Sequence, residues 1–143
     1  MNQKFASINA YHEAGHAIVA WLLGAKIAGV WICPGTTTGT AAIDDEPADP
    51  NQLAMIYLAG ALAQLRAHPS AWPFNAVRDF TRVDELVGDS DVRKILWIKT
   101  DAMISERCVW RAIEALAVTL DKRTVLDNAE AIEIIASAYH DET

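Results

Sequence analysis

The chain is poor in cysteine, in basic residues and in long uninterrupted apolar runs, and each shortage removes a class of protein. Its two cysteines, Cys33 and Cys108, stand 75 positions apart with neither metal-ligand nor redox-pair spacing, which excludes a disulfide scaffold. Both are expected to be buried thiols of a reducing, cytoplasmic compartment. Twelve Lys and Arg against 19 Asp and Glu leave a net charge of -7. Without a basic surface for phosphates, nucleic acid is excluded as a partner. The most apolar stretch, residues 17–35, carries Lys26 in its middle and is interrupted by Gly24 and Gly29, so it reads as helix, turn and strand rather than a membrane span. Met1-Asn2-Gln3-Lys4-Phe5 lacks the apolar centre of a secretion signal, and no export is expected. No phosphate-cradling loop is present either: Gly24 and Gly29 are followed by Val30-Trp31 instead of Lys and a hydroxyl residue. ATP-driven work is thereby excluded for this chain. No internal repeat or low-complexity segment occurs.

What is present suffices for one domain over residues 1–143, since 52% hydrophobic residues can form a core without covalent staples. The most informative segment is His12-Glu13-Ala14-Gly15-His16. Chance would produce two histidines four apart with a glutamate after the first roughly 0.006 times in a chain of this composition. Four residues make about one helical turn, so both imidazoles leave the same face and can close on one metal ion. Ile8, Tyr11, His12, Gly15, Ile18, Val19, Leu22 and Leu23 recur at helical intervals as one buried stripe. Ser7 can cap the start and Gly24 can supply the stop. Gly15 leaves room for another backbone. Zinc in such a site keeps three protein ligands and an open position for water, and Glu13 stands where it could take that water's proton.

Beyond this helix, Lys26 to Cys33 reads as a strand, and Gly39 to Ile43 could pair with it. Asp44-Asp45-Glu46-Pro47-Ala48-Asp49 is a solvated acidic loop. Asp49-Pro50 opens a helix running to about Ala67. Trp72, Pro73 and Phe74 form a loop leading to a helix from about Asp79 to Val87, ended by Gly88. From Asp89 or Ser90 a long helical stretch continues to about Leu120, with Val92, Ile95, Leu96, Met103, Val109, Ala112, Ile113, Leu116 and Leu120 on its buried stripe and a break expected near Lys99-Thr100. Asp127-Asn128-Ala129-Glu130 forms a capping box for a last helix ending near His140. His68 and His140, close to helix ends, suit surface roles.

Two histidines need a third ligand. Val19 and Leu22 stand where a metzincin would have Gly and His, so the ligand is distant. Asp79, Asp84 and Glu85 are the carboxylate candidates, with His68 behind them, and chemistry alone does not rank the three acids.

The segment Tyr11-His12-Glu13-Ala14-Gly15-His16-Ala17-Ile18-Val19 closely resembles the zinc-binding helix of the FtsH-type ATP-dependent zinc metalloproteases. Lys26 to Pro34 resembles that family's next strand. Leu58-Ala59-Gly60-Ala61-Leu62-Ala63-Gln64 is similar to its small-residue helix, with Gln64 where the family usually has Glu. Asn75-Ala76-Val77-Arg78-Asp79-Phe80 is similar to the segment that ends Asn-Asp-Leu, except that Asn is not adjacent to Asp79. Val125-Leu126-Asp127 resembles part of its C-terminal end. The resemblance implies a mainly α, compact zincin-like domain of about five helices with a small β-hairpin after the first helix. It further implies that His12, His16 and Asp79 bind zinc and that Glu13 is the general base; among the carboxylate candidates Asp84 stands in reserve for the third position.

The expected activity is zinc-dependent, ATP-independent endopeptidase action on a peptide or unfolded protein, lying along Gly39 to Ile43 as an added strand. A homo-oligomer or a separate substrate-delivering protein would fit the family. The rival expectations are a metal-stabilised, non-catalytic binding or regulatory module and a degenerate, metal-free domain. Trp72 and Phe74 are either a contact surface or buried packing.

Overall fold

A computed structural model describes residues 6–141; the N-terminal segment Met1–Phe5, read above for export signals, lies outside the described residues. The chain is mainly helical, with six α-helices and one three-stranded antiparallel sheet among the described residues. Helix α1 spans Ile8–Leu22, and the Ser7 hydroxyl caps it by accepting from the Ala10 N–H. Gly24 takes a φ of 82°, which ends the helix as a left-handed residue can and turns the chain into β1, Lys26–Ile32. Strand β2, Gly39–Asp44, returns antiparallel to β1.

Helix α2, Pro50–Ala67, starts with the Asp49 carboxylate on the Asn51 N–H and Pro50 in its first turn. Its small residues let α1 approach closely. A Cβ on Gly15 would lie 2.5 Å from the Ala59 carbonyl oxygen, so the two backbones touch where any side chain would separate them.

The connection that follows α2 departs from expectation. A 3-10 turn at Phe74–Ala76 runs directly into α3, Val77–Leu86, so that helix begins two residues before Asp79, the expected start, and Asp79 lies inside its first turn. The long helical stretch is two helices, α4 at Ser90–Ser105 and α5 at Arg107–Arg123. They are separated at Glu106, which is extended at φ -63° and ψ 139°. The break therefore comes well after Lys99-Thr100. Thr100 instead sits fully buried within α4, its hydroxyl donating to the Leu96 carbonyl. Ile95, on α4, is 52% exposed and does not join the buried stripe, to which its neighbour Leu96 belongs. Ile8 likewise falls at the exposed start of α1.

Past α5, Val125–Asp127 forms a third strand, β3, and the sheet order is β2-β1-β3. The hairpin expected from the sequence is thus extended by a strand about a hundred residues away, held by Leu126 in the core opposite Val30. Helix α6, Asn128–Tyr139, opens with the expected capping box between Asp127 and Glu130. The core is one contiguous cluster in which α1 contributes Ala10, Tyr11, Ala14, Ile18 and Val19. Cys33 is exposed and Cys108 only half-buried, so neither is the buried thiol expected: Cys33 falls just past the end of β1, where the chain leaves the sheet. Among the described residues no helix is long and apolar enough to cross a membrane.

Candidate metal centre

The two imidazoles leave α1 one turn apart and point at α2 and α3. His12 is 3% and His16 8% exposed. Their Nε2 atoms lie 3.0 Å from each other, and Asp79 Oδ2 lies 3.0 Å from His12 Nε2 and 3.1 Å from His16 Nε2. Asp79 reaches them because the 3-10 turn carries α3 against α2 and presents its first turn to the histidines. Of the other candidates, Asp84 pairs with Arg93 at 3.2 Å and Glu85 with Arg82 at 3.3 Å, both away from this group. His68 Nε2 donates to the Ala6 carbonyl at 2.7 Å, and His140 is exposed beside Trp21 and Tyr139.

The outer sides of the rings decide what the inner sides can do. His16 Nδ1–H donates to the Ile56 carbonyl at 2.7 Å, and His12 Nδ1–H donates to Gln64 Oε1 at 3.2 Å. Each Nδ1 therefore carries its hydrogen, and each Nε2 turns a lone pair inward. Together with Asp79 Oδ2, three acceptors converge without a donor among them. That arrangement is repulsive unless a cation sits between the atoms. Tetrahedral zinc with ligand distances of about 2.0–2.1 Å would set such atoms about 3.3 Å apart, some 0.3 Å more than here. The donor set fits, and His12, His16 and Asp79 form a group that could hold a metal ion.

A proton is the cation available from water. Burial pushes the His16 imidazole down, but the hydrogen bond and charge of Asp79, with the nearby Glu13 and the Ile56 carbonyl, more than reverse this and raise it to about 9. For Asp79, burial favours the neutral acid; its interactions with the His12 and His16 imidazoles overcome this and hold the carboxyl well below the usual carboxylate range. The two shifts are opposite in direction because each group's charge favours the charged form of the other.

Glu13 lies on α1 next to this group and is 6% exposed. Burial raises its carboxyl above the ordinary value, partly offset by the two imidazoles and the Ala41 backbone N–H. Gly39 covers it closely: a Cβ there would meet Glu13 Cγ at 3.0 Å and Oε2 at 3.1 Å. Both lie in an open cleft of about 740 Å³, whose lining also includes Tyr57, Arg78, the three metal-capable side chains and Thr40, Ala41 and Ile43 of β2. Among the described residues strand β2 pairs only with β1, which leaves its other edge open along this cleft.

Sequence reasoning missed two residues that build the centre. Gly60 lies beneath both imidazoles, since a Cβ there would stand 2.5 Å from His16 Nε2 and 3.0 Å from His12 Cε1. Gln64, noticed only as a departure from a family pattern, is fully buried and is the partner that orients His12. The run of small residues in α2 was the available signal. No model of a known protein family matches the chain, and no curated protein matches it.

Proposed function

We propose that this chain is a zinc-dependent endopeptidase with a zincin-like fold, acting on a peptide or unfolded protein without ATP. The observation that carries the reading is the convergence of His12 Nε2, His16 Nε2 and Asp79 Oδ2 beside Glu13 in an open cleft. Two histidines and one carboxylate are the donor set of a hydrolytic zinc, which keeps a position for water, whereas structural sites use four protein ligands, mostly thiolates. When bound, zinc lowers the pKa of a water to about 7 and polarises a carbonyl. Glu13 would take the proton of the attacking water on its carboxylate as the water oxygen adds to the peptide carbonyl carbon, and would return it to the amine nitrogen as the C–N bond breaks. Ile56 and Gln64 keep both imidazoles in the tautomer that presents Nε2. The open edge of β2 offers backbone N–H and C=O groups to an extended substrate, a mode with little dependence on side chains.

The test is zinc stoichiometry together with chelator-sensitive cleavage of unfolded casein. Glu13→Gln is expected to keep zinc and lose cleavage, Asp79→Ala to lose zinc, and Asp84→Ala to keep it. Turnover surviving in Glu13→Gln, or full zinc occupancy in Asp79→Ala, would overturn the assignment. A second reading, a metal-stabilised module without catalysis, is favoured by Gln64, which gives His12 a neutral partner instead of an ionised one. Stoichiometric zinc with no casein cleavage would select it.

A further inference from the structure

Among the described residues Arg78 is the only Lys or Arg that lines the cleft; the other charged groups there are Glu13, Glu46, Asp79 and the two histidines. In a chain of net charge -7 acidic partners are plentiful, and other arginines use them: Arg82 pairs with Glu85, Arg93 with Asp84 and Arg123 with Glu130. Arg78 has no ion pair or side-chain hydrogen bond among the described residues, although Asp79 is its chain neighbour. Asp79 turns its Oδ2 to the histidines instead.

Two features beside Arg78 have the same polarity. Asn75, in the 3-10 turn ahead of α3, also lines the cleft, and its buried Nδ2 has no hydrogen-bond partner. The first turn of α3 has no side-chain cap, so its N–H groups add positive potential at this end of the cleft. A forked guanidinium, a buried unpaired amide donor and a helix start are three donor features at this end of the cleft. That set is complementary to a planar anion, and a guanidinium matches a carboxylate with two parallel hydrogen bonds.

We infer that Arg78 is a specificity-determining residue that receives a carboxylate of the bound peptide, either its chain terminus or an Asp or Glu side chain. This rests on the peptidase reading for the nature of the ligand, but not on turnover. The test measures calorimetric affinity in a zinc-loaded Glu13→Gln background, so that peptides stay intact. Three acetylated, alanine-rich pentapeptides are compared: one with a free C-terminal carboxylate, its C-terminal amide, and that amide with one Asp replacing Ala. One carboxylate-bearing peptide is expected to bind on the order of tenfold more tightly than the neutral amide, and which one does so identifies the source of the carboxylate. Arg78→Ala is expected to abolish the difference. Arg78→Lys, which keeps the charge and loses the fork, is expected to restore part of it.

Equal or absent binding of all three peptides overturns the inference, as does a preference that survives Arg78→Ala. Carboxylate preference with no casein cleavage by the zinc-loaded wild type would retain the Arg78 site and sink the peptidase reading. Cleavage without any carboxylate preference would do the reverse.

Discussion

Replacing Gly60 by alanine separates the metal centre from the fold that holds it. The new Cβ would lie 2.5 Å from His16 Nε2 and 2.6 Å from its Cε1, against an ordinary contact of 3.4 Å or more, so the ring must retreat by about 0.9 Å. Retreat stretches the 2.7 Å hydrogen bond from His16 Nδ1 to the Ile56 carbonyl. Metal ligation tolerates about 0.2 Å, so His16 would leave the set. Helix α2 itself gains, because alanine in a helix interior is favoured over glycine by about 1 kcal/mol. Overpacking costs typically 1–3 kcal/mol, and here the atom that yields belongs to a side chain rather than to backbone. The two effects oppose, and the metal-free variant is expected to melt within a few degrees of wild type. Zinc affinity is expected to fall by 100-fold or more, since losing a direct ligand exceeds the roughly 10–100-fold cost of losing an outer partner. Competition with a chromophoric chelator measures the affinity, and thermal melting in excess chelator measures the fold. Zinc bound within threefold of wild type by Gly60→Ala would refute the geometry.

Gly15→Ala is the opposite case: its Cβ meets the Ala59 carbonyl oxygen at 2.5 Å, backbone that cannot rotate away, and the metal-free protein is expected to lose at least 1–3 kcal/mol of stability by denaturant titration. Gln64→Leu strips His12 Nδ1–H of its acceptor, and zinc affinity is expected to drop roughly 10–100-fold by chelator competition; an unchanged affinity would remove Gln64 from the site. In the metal-free protein, His16 binds its proton more tightly folded than unfolded. The resulting stabilisation is fully present below pH 6.5 and lost as pH rises to about 9, which a pH series of melts would register. Zinc must displace that proton, so affinity is expected to rise about tenfold per pH unit over the same window, and a flat profile would contradict the pairing.

The parts of this molecule legible in advance are those decided within a few residues. The caps at Ser7, Asp49, Asp89 and Asp127 form as read because each carboxylate or hydroxyl bonds an N–H two or three positions on. The break at Glu106 was not legible, since no proline or glycine marks it. Strand β3 was missed because three residues carry little pattern, and the partner that makes them a strand is the distant β1. Trp72 and Phe74, open to either reading, are 69% and 74% exposed, in mutual edge contact on the loop ahead of α3.

The same division runs through the site. The four-residue spacing of His12 and His16 determines by itself that both rings share a face, because helix geometry is local. Which acid meets them depends on where the turn after α2 sets down α3. That placement brings Asp79, 67 positions from His12, to 3.0 Å, while Asp84 is turned towards Arg93. Gln64 and Gly60 acquire their roles in the same way, through the close packing of α1 on α2. Spacing along one helix selected the pair, and only packing between helices could select its third member and the partners that orient it.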